Sequence, residues 1–133
     1  MTKKELKSYL RMNIELKRLE EKMAEMRNRL QNPKSPILSD IPKSGGRYKN
    51  FADNIDELIE LQEFYDKRAK EIIAEQIHIE KVIALLSDPV ERAIIGYKYI
   101  DGLKWEQICV KINYGWERTH YYHSRALQNI KTV

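Results

Sequence analysis

The sequence predicts an all-α protein. Charged residues make up 33% of the chain, and only five of its 133 residues are glycine, a composition typical of long amphipathic helices. In two long stretches, apolar residues recur at alternating intervals of three and four, which places them along one side of an α-helix as in a coiled-coil seam. We therefore expect a long helical coiled-coil hairpin over residues 1–86, with a loop at 32–50, and a separate helical module over 87–133.

The first helix is predicted over residues 3–31. Its seam consists of seven residues: Tyr9, Met12, Leu16, Leu19, Met23, Met26 and Leu30. Three further apolar residues widen the stripe near its start: Leu6, Leu10 and Ile14. Asn32 and Pro33 end the helix, because proline disfavours helical backbone in the residue before it and lacks an N–H donor. Residues 32–50 contain three prolines and a glycine pair and therefore form a loop by composition.

The second helix is predicted from residue 51 to residue 86, a length of about 54 Å. Its seam is Phe51, Ile55, Leu58, Gln62, Tyr65, Ala69, Ile72, Gln76, Ile79, Ile83 and Leu86. The two glutamines on this seam either set the register of a buried contact or turn out to solvent.

Charge favours pairing of the two helices. Residues 1–31 carry 9 basic and 5 acidic groups, whereas residues 51–86 carry 4 basic and 9 acidic groups. Opposite net charges attract, and the pairing can be an antiparallel hairpin within one chain or a contact between two chains. We therefore expect a homodimer formed through these helices.

A third helix is predicted after the second seam ends. Asp88 is a suitable N-cap, Pro89 occupies the first helical position, and Glu91 is placed to complete a capping box. The helix is expected to reach about Ile100, where Asp101-Gly102 forms a turn. Its apolar face is predicted to consist of Val90, Ala93, Ile94 and Tyr97.

Two further helices follow this turn. A short helix is predicted in "LKWEQICVKI", residues 103–112, and a longer one from Trp116 to about Lys131. Between them, Asn113 stands where a left-handed backbone is expected, a conformation that asparagine tolerates better than most residues. The short helix, tight turn and longer helix predict a helix-turn-helix module.

The last helix has one inward and one outward face. Projection at 100° per residue turns Thr119, Ala126 and Ile130 inward, and places Glu117, Tyr121, Ser124 and Gln128 on the opposite ridge. Arg118 and Arg125 border this ridge on one side, and His120 and Lys131 on the other. A polar ridge with cations at its borders suits the major groove of DNA, where side chains read base edges and basic groups bind phosphates. The candidate DNA-binding residues are Lys111, Trp116, Glu117, Arg118, His120, Tyr121, Ser124, Arg125, Gln128 and Lys131.

Residues 85–131, "LLSDPVERAIIGYKYIDGLKWEQICVKINYGWERTHYYHSRALQNIK", resemble region four, the C-terminal promoter-reading domain of bacterial sigma factors. The matching features are "ER" followed by apolar residues and a tyrosine, a glycine turn, "WEQIC", and a second "ER" with "AL" eight residues later. Glu117, Arg118 and Tyr121 stand where DNA-contacting positions of that family fall. Cys109 takes the place of a small alanine, which implies a packing role.

Together with its helical N-terminal part and its linker, the whole chain resembles phage-encoded transcriptional regulators of the ArpU/RinA type, from phages and prophages of Gram-positive bacteria. The resemblance implies binding to double-stranded DNA, control of phage gene expression and a location in the cytoplasm of the bacterial host. It also makes host RNA polymerase a candidate partner. The alternative function is that of a phage DNA-packaging protein, similar to a small terminase subunit, or of a coiled-coil assembly protein.

Other chemistries are poorly represented in the sequence. His120 and His123 have a spacing seen in metal sites, but zinc needs three or four ligands and only Cys109 lies nearby. No phosphate loop, nucleophile elbow or Cys/His pair is present, so we expect neither an enzyme nor a cofactor. Stacking of single-stranded bases on the aromatic residues is a further, less favoured reading. No apolar run is long enough for a membrane span, and one cysteine cannot form an internal disulfide.

Overall fold

The computed structural model describes residues 1–31 and 51–133, with residues 51–53 described by their backbone only. These ranges contain helices and no strand, which confirms the all-α prediction. The α-helices are α1 (Lys3–Gln31), α2 (Phe51–Ala84), α3 (Pro89–Ile95), α4 (Trp105–Ile112) and α5 (Trp116–Ile130), and a π-helical segment (Gly96–Ile100) continues α3. The predicted loop at 32–50 lies outside the described residues.

The described chain divides into two compact units. The first contains residues 1–14 and 72–133, and the second contains residues 15–71. The functional boundary predicted between residues 86 and 87 stays a prediction. None of the described helices is long and apolar enough to cross a membrane.

The first unit is built around one apolar core. The start of α1, the end of α2, α3 with its π-helical segment, and α5 all contribute side chains to it. Its members are Leu6, Tyr9, Ile79, Ile83, Leu86, Ile95, Tyr99, Ala126 and Ile130. Burial of apolar surface stabilises a fold by about 25 cal/mol per Å². The shared core therefore holds the start of α1 against the C-terminal helices.

Gln76 is a buried polar residue on the α2 seam. Its side-chain amide donates to the Oδ1 atom of Asn13 at 2.6 Å and lies 3.4 Å from the backbone oxygen of Tyr9. Of the two readings of the seam glutamines, the buried and bonded one therefore applies to Gln76. Its fixed partners on α1 set the register between the two helices in this unit.

The second unit follows the seams at lower burial. Leu19, Met26 and Ala69 are buried, and Leu58 and Tyr65 are half-buried. The buried and half-buried residues of this unit therefore include the predicted seam positions.

Charge pairing inside the second unit differs from the net-charge pattern. Arg68 of the acidic helix α2 donates through Nε to Oε1 of Glu15, on the basic helix α1, at 2.9 Å. Both side chains are more than 40% exposed, so this pair contributes about 0–1 kcal/mol. The sum of charges along a helix did not predict which individual charges meet.

The caps of α1 and α3 differ from each other. In α1 the Thr2 hydroxyl accepts from the Glu5 backbone nitrogen at 3.3 Å, and the Glu5 carboxylate accepts from the Thr2 nitrogen at 2.9 Å. In α3 the predicted N-cap is confirmed, since Asp88 Oδ1 accepts from the Val90 nitrogen at 2.8 Å. The capping box predicted for Glu91 is wrong, because its carboxylate turns inward, where it has other partners.

The end of the third helix is wider than an α-helix. The Asp101 nitrogen donates to the Gly96 oxygen at 3.0 Å, a π-type bond over five residues. Tyr99 is buried and Tyr97 only half-buried, which corrects the predicted inward position of Tyr97. Tyr99 follows the buried Glu91 and Ile95 at intervals of four. The turn that follows uses Gly102 at φ +70°, where a Cβ atom would lie 3.4 Å from both terminal methyl groups of Leu10.

Candidate nucleic-acid interface

The turn between α4 and α5 depends on two residues. Asn113 adopts φ 59° and ψ 41°, the left-handed conformation that the sequence predicted. Gly115 begins α5 with extended backbone, and its oxygen accepts from both the nitrogen and the hydroxyl of Thr119. Across the turn, the Cys109 thiol donates to the Thr119 hydroxyl at 3.4 Å. These contacts fix the angle at which α5 leaves α4.

Helix α5 has the two faces that projection predicted. Thr119, His123, Ala126 and Ile130 are buried against the rest of the first unit. The opposite ridge of Glu117, Tyr121, Ser124 and Gln128 is exposed. Tyr121, at 60% exposure, is a large aromatic side chain presented to solvent.

Two candidate cations near α5 lie over aromatic rings of the first unit. The Arg118 guanidinium carbon lies 4.0 Å from the centre of the Tyr114 ring. The Lys111 ammonium lies 5.6 Å from the centre of the Tyr97 ring. Cation–π contacts of this kind leave the charge available to an anion, because the guanidinium or ammonium retains free donors.

Arg125 forms an ion pair with Glu91, the buried acid that was predicted to complete the capping box of α3. Its Nε atom lies 3.2 Å from Oε1 of Glu91, whose side chain is only 1% exposed. The Asn129 amide donates to both Glu91 oxygens at 3.0 Å. Arg125 is itself 52% exposed, so one side of its guanidinium is held by α3 while the rest faces solvent.

His120 lies between two tryptophan rings. Its ring centre is 4.4 Å from that of Trp105 and 4.4 Å from that of Trp116, and its Nε2 atom is buried without a hydrogen-bond partner among the described residues. Trp116 remains 54% exposed at the start of α5. Trp116 is therefore exposed at the surface, whereas the His120 ring packs against the two indole rings.

His123 belongs to the interior. Its Nε2 atom lies 2.7 Å from the Tyr99 hydroxyl, and its pKa is lowered to about 4 by burial, with further contributions from the charges of Lys3, His120 and Lys98. The rings of His120 and His123 are 6.4 Å apart and perpendicular. Within the described ranges, no group of three His, Cys, Asp or Glu residues is placed to hold a metal ion.

Sequence reasoning missed two features of the surroundings of α5. The inward turn of Glu91 toward Arg125 has no local sequence pattern, because it depends on where α5 packs on α3. The approach of Lys3 to α5 also depends on tertiary packing, although the Thr2-x-x-Glu5 capping box identifies the start of α1. Lys131, which follows α5, is exposed as predicted from the projection.

Comparison with known proteins identifies one family. No curated protein and no solved structure matches the chain. A family model described as "Protein of unknown function (DUF1492)" matches residues 31–131, which is more than half of the sequence. The match includes all of α3, α4 and α5. The chain therefore belongs to the family of that description.

Proposed function

We propose that this protein is a sequence-specific transcription regulator, encoded by a phage or prophage, that inserts α5 into the major groove of double-stranded DNA. The observation that carries the proposal is the exposed ridge of Glu117, Tyr121, Ser124 and Gln128 on a helix whose other face is buried. In this proposal α4, the Asn113 turn and α5 act as a helix-turn-helix.

The chemistry of the ridge matches that of base edges. Glutamine can both donate to and accept from adenine, a carboxylate accepts from the amino group of cytosine, and a serine hydroxyl does either. The side chains of Glu117, Ser124 and Gln128 make no hydrogen bond or ion pair with other described residues, so their polar groups are free for a ligand. Tyr121 adds an aromatic surface suited to a thymine methyl group.

Basic residues beside the ridge supply phosphate contacts. Arg118 and Arg125 border one side of the ridge, and Lys131 borders the other. Phosphate contacts position a protein on the duplex and add to its affinity without reading sequence. Lys111 and Trp116 lie at the entrance to α5 and are assigned to the same surface in this proposal.

Dimerisation through a coiled-coil hairpin of α1 and α2 is also part of the proposal. Two half-sites read by two copies of α5 would explain why a small module carries long helices. The burial of Ala69, Ile72 and Gln76 within one chain supports the hairpin, and the opposite net charges of the two helices are the argument for pairing between chains. Host RNA polymerase is a further proposed partner, for an activator or a repressor bound near a promoter.

Selection of genomic fragments by the full chain, with a solution mass measurement, tests the proposal. We expect a dimer that prefers a selected duplex over its scrambled form by at least tenfold at equal salt, which corresponds to about 1.4 kcal/mol. A ring of eight or more subunits without sequence preference would contradict it and favour the DNA-packaging alternative.

Two substitutions test whether α5 is the reading helix. Tyr121→Ala should reduce the ratio of affinities for selected and scrambled DNA, whereas Arg118→Ala should weaken both equally and flatten the salt dependence. Phe64→Ala is the matched control, because Phe64 is an aromatic residue of similar exposure, 64%, on α2. If Phe64→Ala and Tyr121→Ala affect discrimination equally, α5 is not the reading helix.

A further inference from the structure

The start of α1 lies on the same compact unit as α5. Leu6 is fully buried and Tyr9 is 9% exposed, and both share a core with Ala126 and Ile130 of α5. The Met1 nitrogen donates to the Ile130 backbone oxygen at 3.3 Å. The first turns of α1 are therefore part of the surface around the proposed reading helix.

These turns carry a row of cations. Lys3, Lys7 and Arg11 recur every four residues, and side chains with this spacing lie along one side of a helix. All three are exposed, and none forms an ion pair or hydrogen bond with another described residue. The nearby acid Glu5 accepts from the Thr2 nitrogen and lies on another side of the helix. The row, called here the α1 basic edge, thus presents three unpaired charges.

The position of the α1 basic edge beside α5 follows first from contacts at the start of α1, since the Met1 nitrogen donates to the Ile130 oxygen and Leu6 shares a core with Ala126 and Ile130. The environment of His123 agrees with this position. The charge of Lys3 is close enough to this imidazole to contribute to the lowering of its pKa. At 3.6 residues per turn, His123 lies about 80° around α5 from Lys131 and about 160° from Arg125. Lys3, the first member of the α1 basic edge, therefore lies on the side of α5 that leads to Lys131, across the helix from Arg125, and the row runs from there along α1.

We propose that Lys3, Lys7 and Arg11 bind the phosphates of one DNA strand while Arg118 and Arg125 bind those of the other. This inference rests on the proposed function, since it places both cation rows along the groove that receives α5. It assigns to α1 a direct part in DNA binding, in addition to helix pairing.

The arrangement supplies cations where α5 has few of its own. The projection gave this border to His120 and Lys131, but His120 is packed between Trp105 and Trp116. Lys131 alone would leave one strand with fewer contacts than the other. Three basic side chains from α1 balance the two borders, as expected for a helix that has a phosphate backbone on each side.

Salt titration of binding by the full chain tests the proposal. The logarithm of affinity falls with the logarithm of salt concentration with a slope of about −0.9 per phosphate contact. The triple variant K3Q/K7Q/R11Q should therefore reduce the magnitude of the slope by about 2 to 3. The ratio of affinities for selected and scrambled duplex should change by less than about twofold, because phosphate contacts carry no sequence information.

The matched control is K17Q/R18Q/R27Q. It removes three exposed cations from the same helix α1, but from the second compact unit, and should leave the slope unchanged. A second variant, K3R/K7R/R11K, keeps the charges and should retain the wild-type slope. Thermal unfolding of each variant checks that α1 remains docked.

Different outcomes separate this inference from the function on which it rests. If K3Q/K7Q/R11Q keeps the wild-type slope, or if K17Q/R18Q/R27Q reduces it equally, the α1 basic edge does not bind phosphates, although the reading role of α5 can still stand. If the wild-type chain binds no duplex in preference to its scrambled form, the proposed function fails, and this inference fails with it.

Discussion

The Tyr99 hydroxyl and the Nε2 atom of His123 lie 2.7 Å apart in the interior of the first compact unit. The contact joins the π-helical segment to the buried face of α5. Burial of the imidazole, followed by the nearby charges of Lys3, His120 and Lys98, lowers the pKa of His123 to about 4. Burial also raises the pKa of Tyr99, so both groups are neutral at pH 7.

The first prediction concerns stability between pH 4 and 6.5. Because the pKa of His123 is about 4 in the folded state and about 6.5 in an unfolded chain, the unfolded chain binds the extra proton in this window. The free energy of unfolding is therefore fully retained above pH 6.5 and decreases as the pH falls toward 4. This one group contributes a slope of at most about 1.4 kcal/mol per pH unit.

Urea denaturation at several pH values measures that slope. His123→Phe should remove the contribution of this imidazole and flatten the dependence, even if the variant is less stable overall. The exposed histidine provides the control, so that His78→Asn should keep the wild-type slope. Equal slopes for wild type and His123→Phe would show that the buried imidazole does not control the acid response.

The second prediction concerns Asn113, the residue with left-handed backbone between α4 and α5. Asn113→Ala should destabilise the protein by about 1 kcal/mol. At φ 59° the Cβ atom of alanine is sterically strained, and alanine lacks the short polar side chain that lets asparagine adopt this conformation. Asn113→Gly should change stability by less, since glycine adopts this conformation freely. Thermal unfolding compares the two variants. If alanine is tolerated as well as glycine, the turn does not hold the left-handed geometry in solution.

Periodic features of the fold were predictable from sequence. The seam of α2 and the inward face of α5 depend on intervals of three and four, which directly give the side of a helix that is covered. The cap at Asp88 and the backbone of Asn113 follow from local preferences of those residue types. Such features need no knowledge of which helix packs on which.

Features of the candidate site that depend on tertiary contacts were not predictable. Glu91 fits a capping box locally, but the amide of Asn129, 38 residues later, holds its carboxylate inside. His120 projects to the border of the ridge, yet two indole rings enclose it. Tyr97 was predicted on the apolar face of the third helix, but Tyr99 is the tyrosine that is buried in the core. In each case, a distant partner outweighs the local pattern.

The third prediction concerns the buried amide on the α2 seam. Asn13→Ala should cost about 1 kcal/mol, because it leaves the Gln76 amide with only the longer contact to the Tyr9 oxygen. Gln76→Leu should cost less or stabilise, since it removes the polar group that needs a partner. The double variant should be as stable as Gln76→Leu alone. Urea denaturation of all four chains tests this, and simple additivity would contradict a coupled pair.

The fourth prediction separates two arginines that both border the exposed ridge of α5. Arg125 neutralises the buried carboxylate of Glu91, whereas Arg118 stacks on the Tyr114 ring. Arg125→Ala should therefore lower the free energy of unfolding by about 1 to 2 kcal/mol, and Arg118→Ala by less than about 1 kcal/mol. Both substitutions should flatten the salt dependence of DNA binding.

A second substitution shows whether the stability loss comes from the carboxylate. In the Arg125→Ala background, Glu91→Gln removes the uncompensated buried charge while an amide oxygen can still accept from Asn129. Stability should then recover, but the salt dependence of binding should remain flat, because no cation has been restored. If Glu91→Gln also restores the salt dependence, Arg125 acts on DNA binding through the packing of α5 and not through its charge.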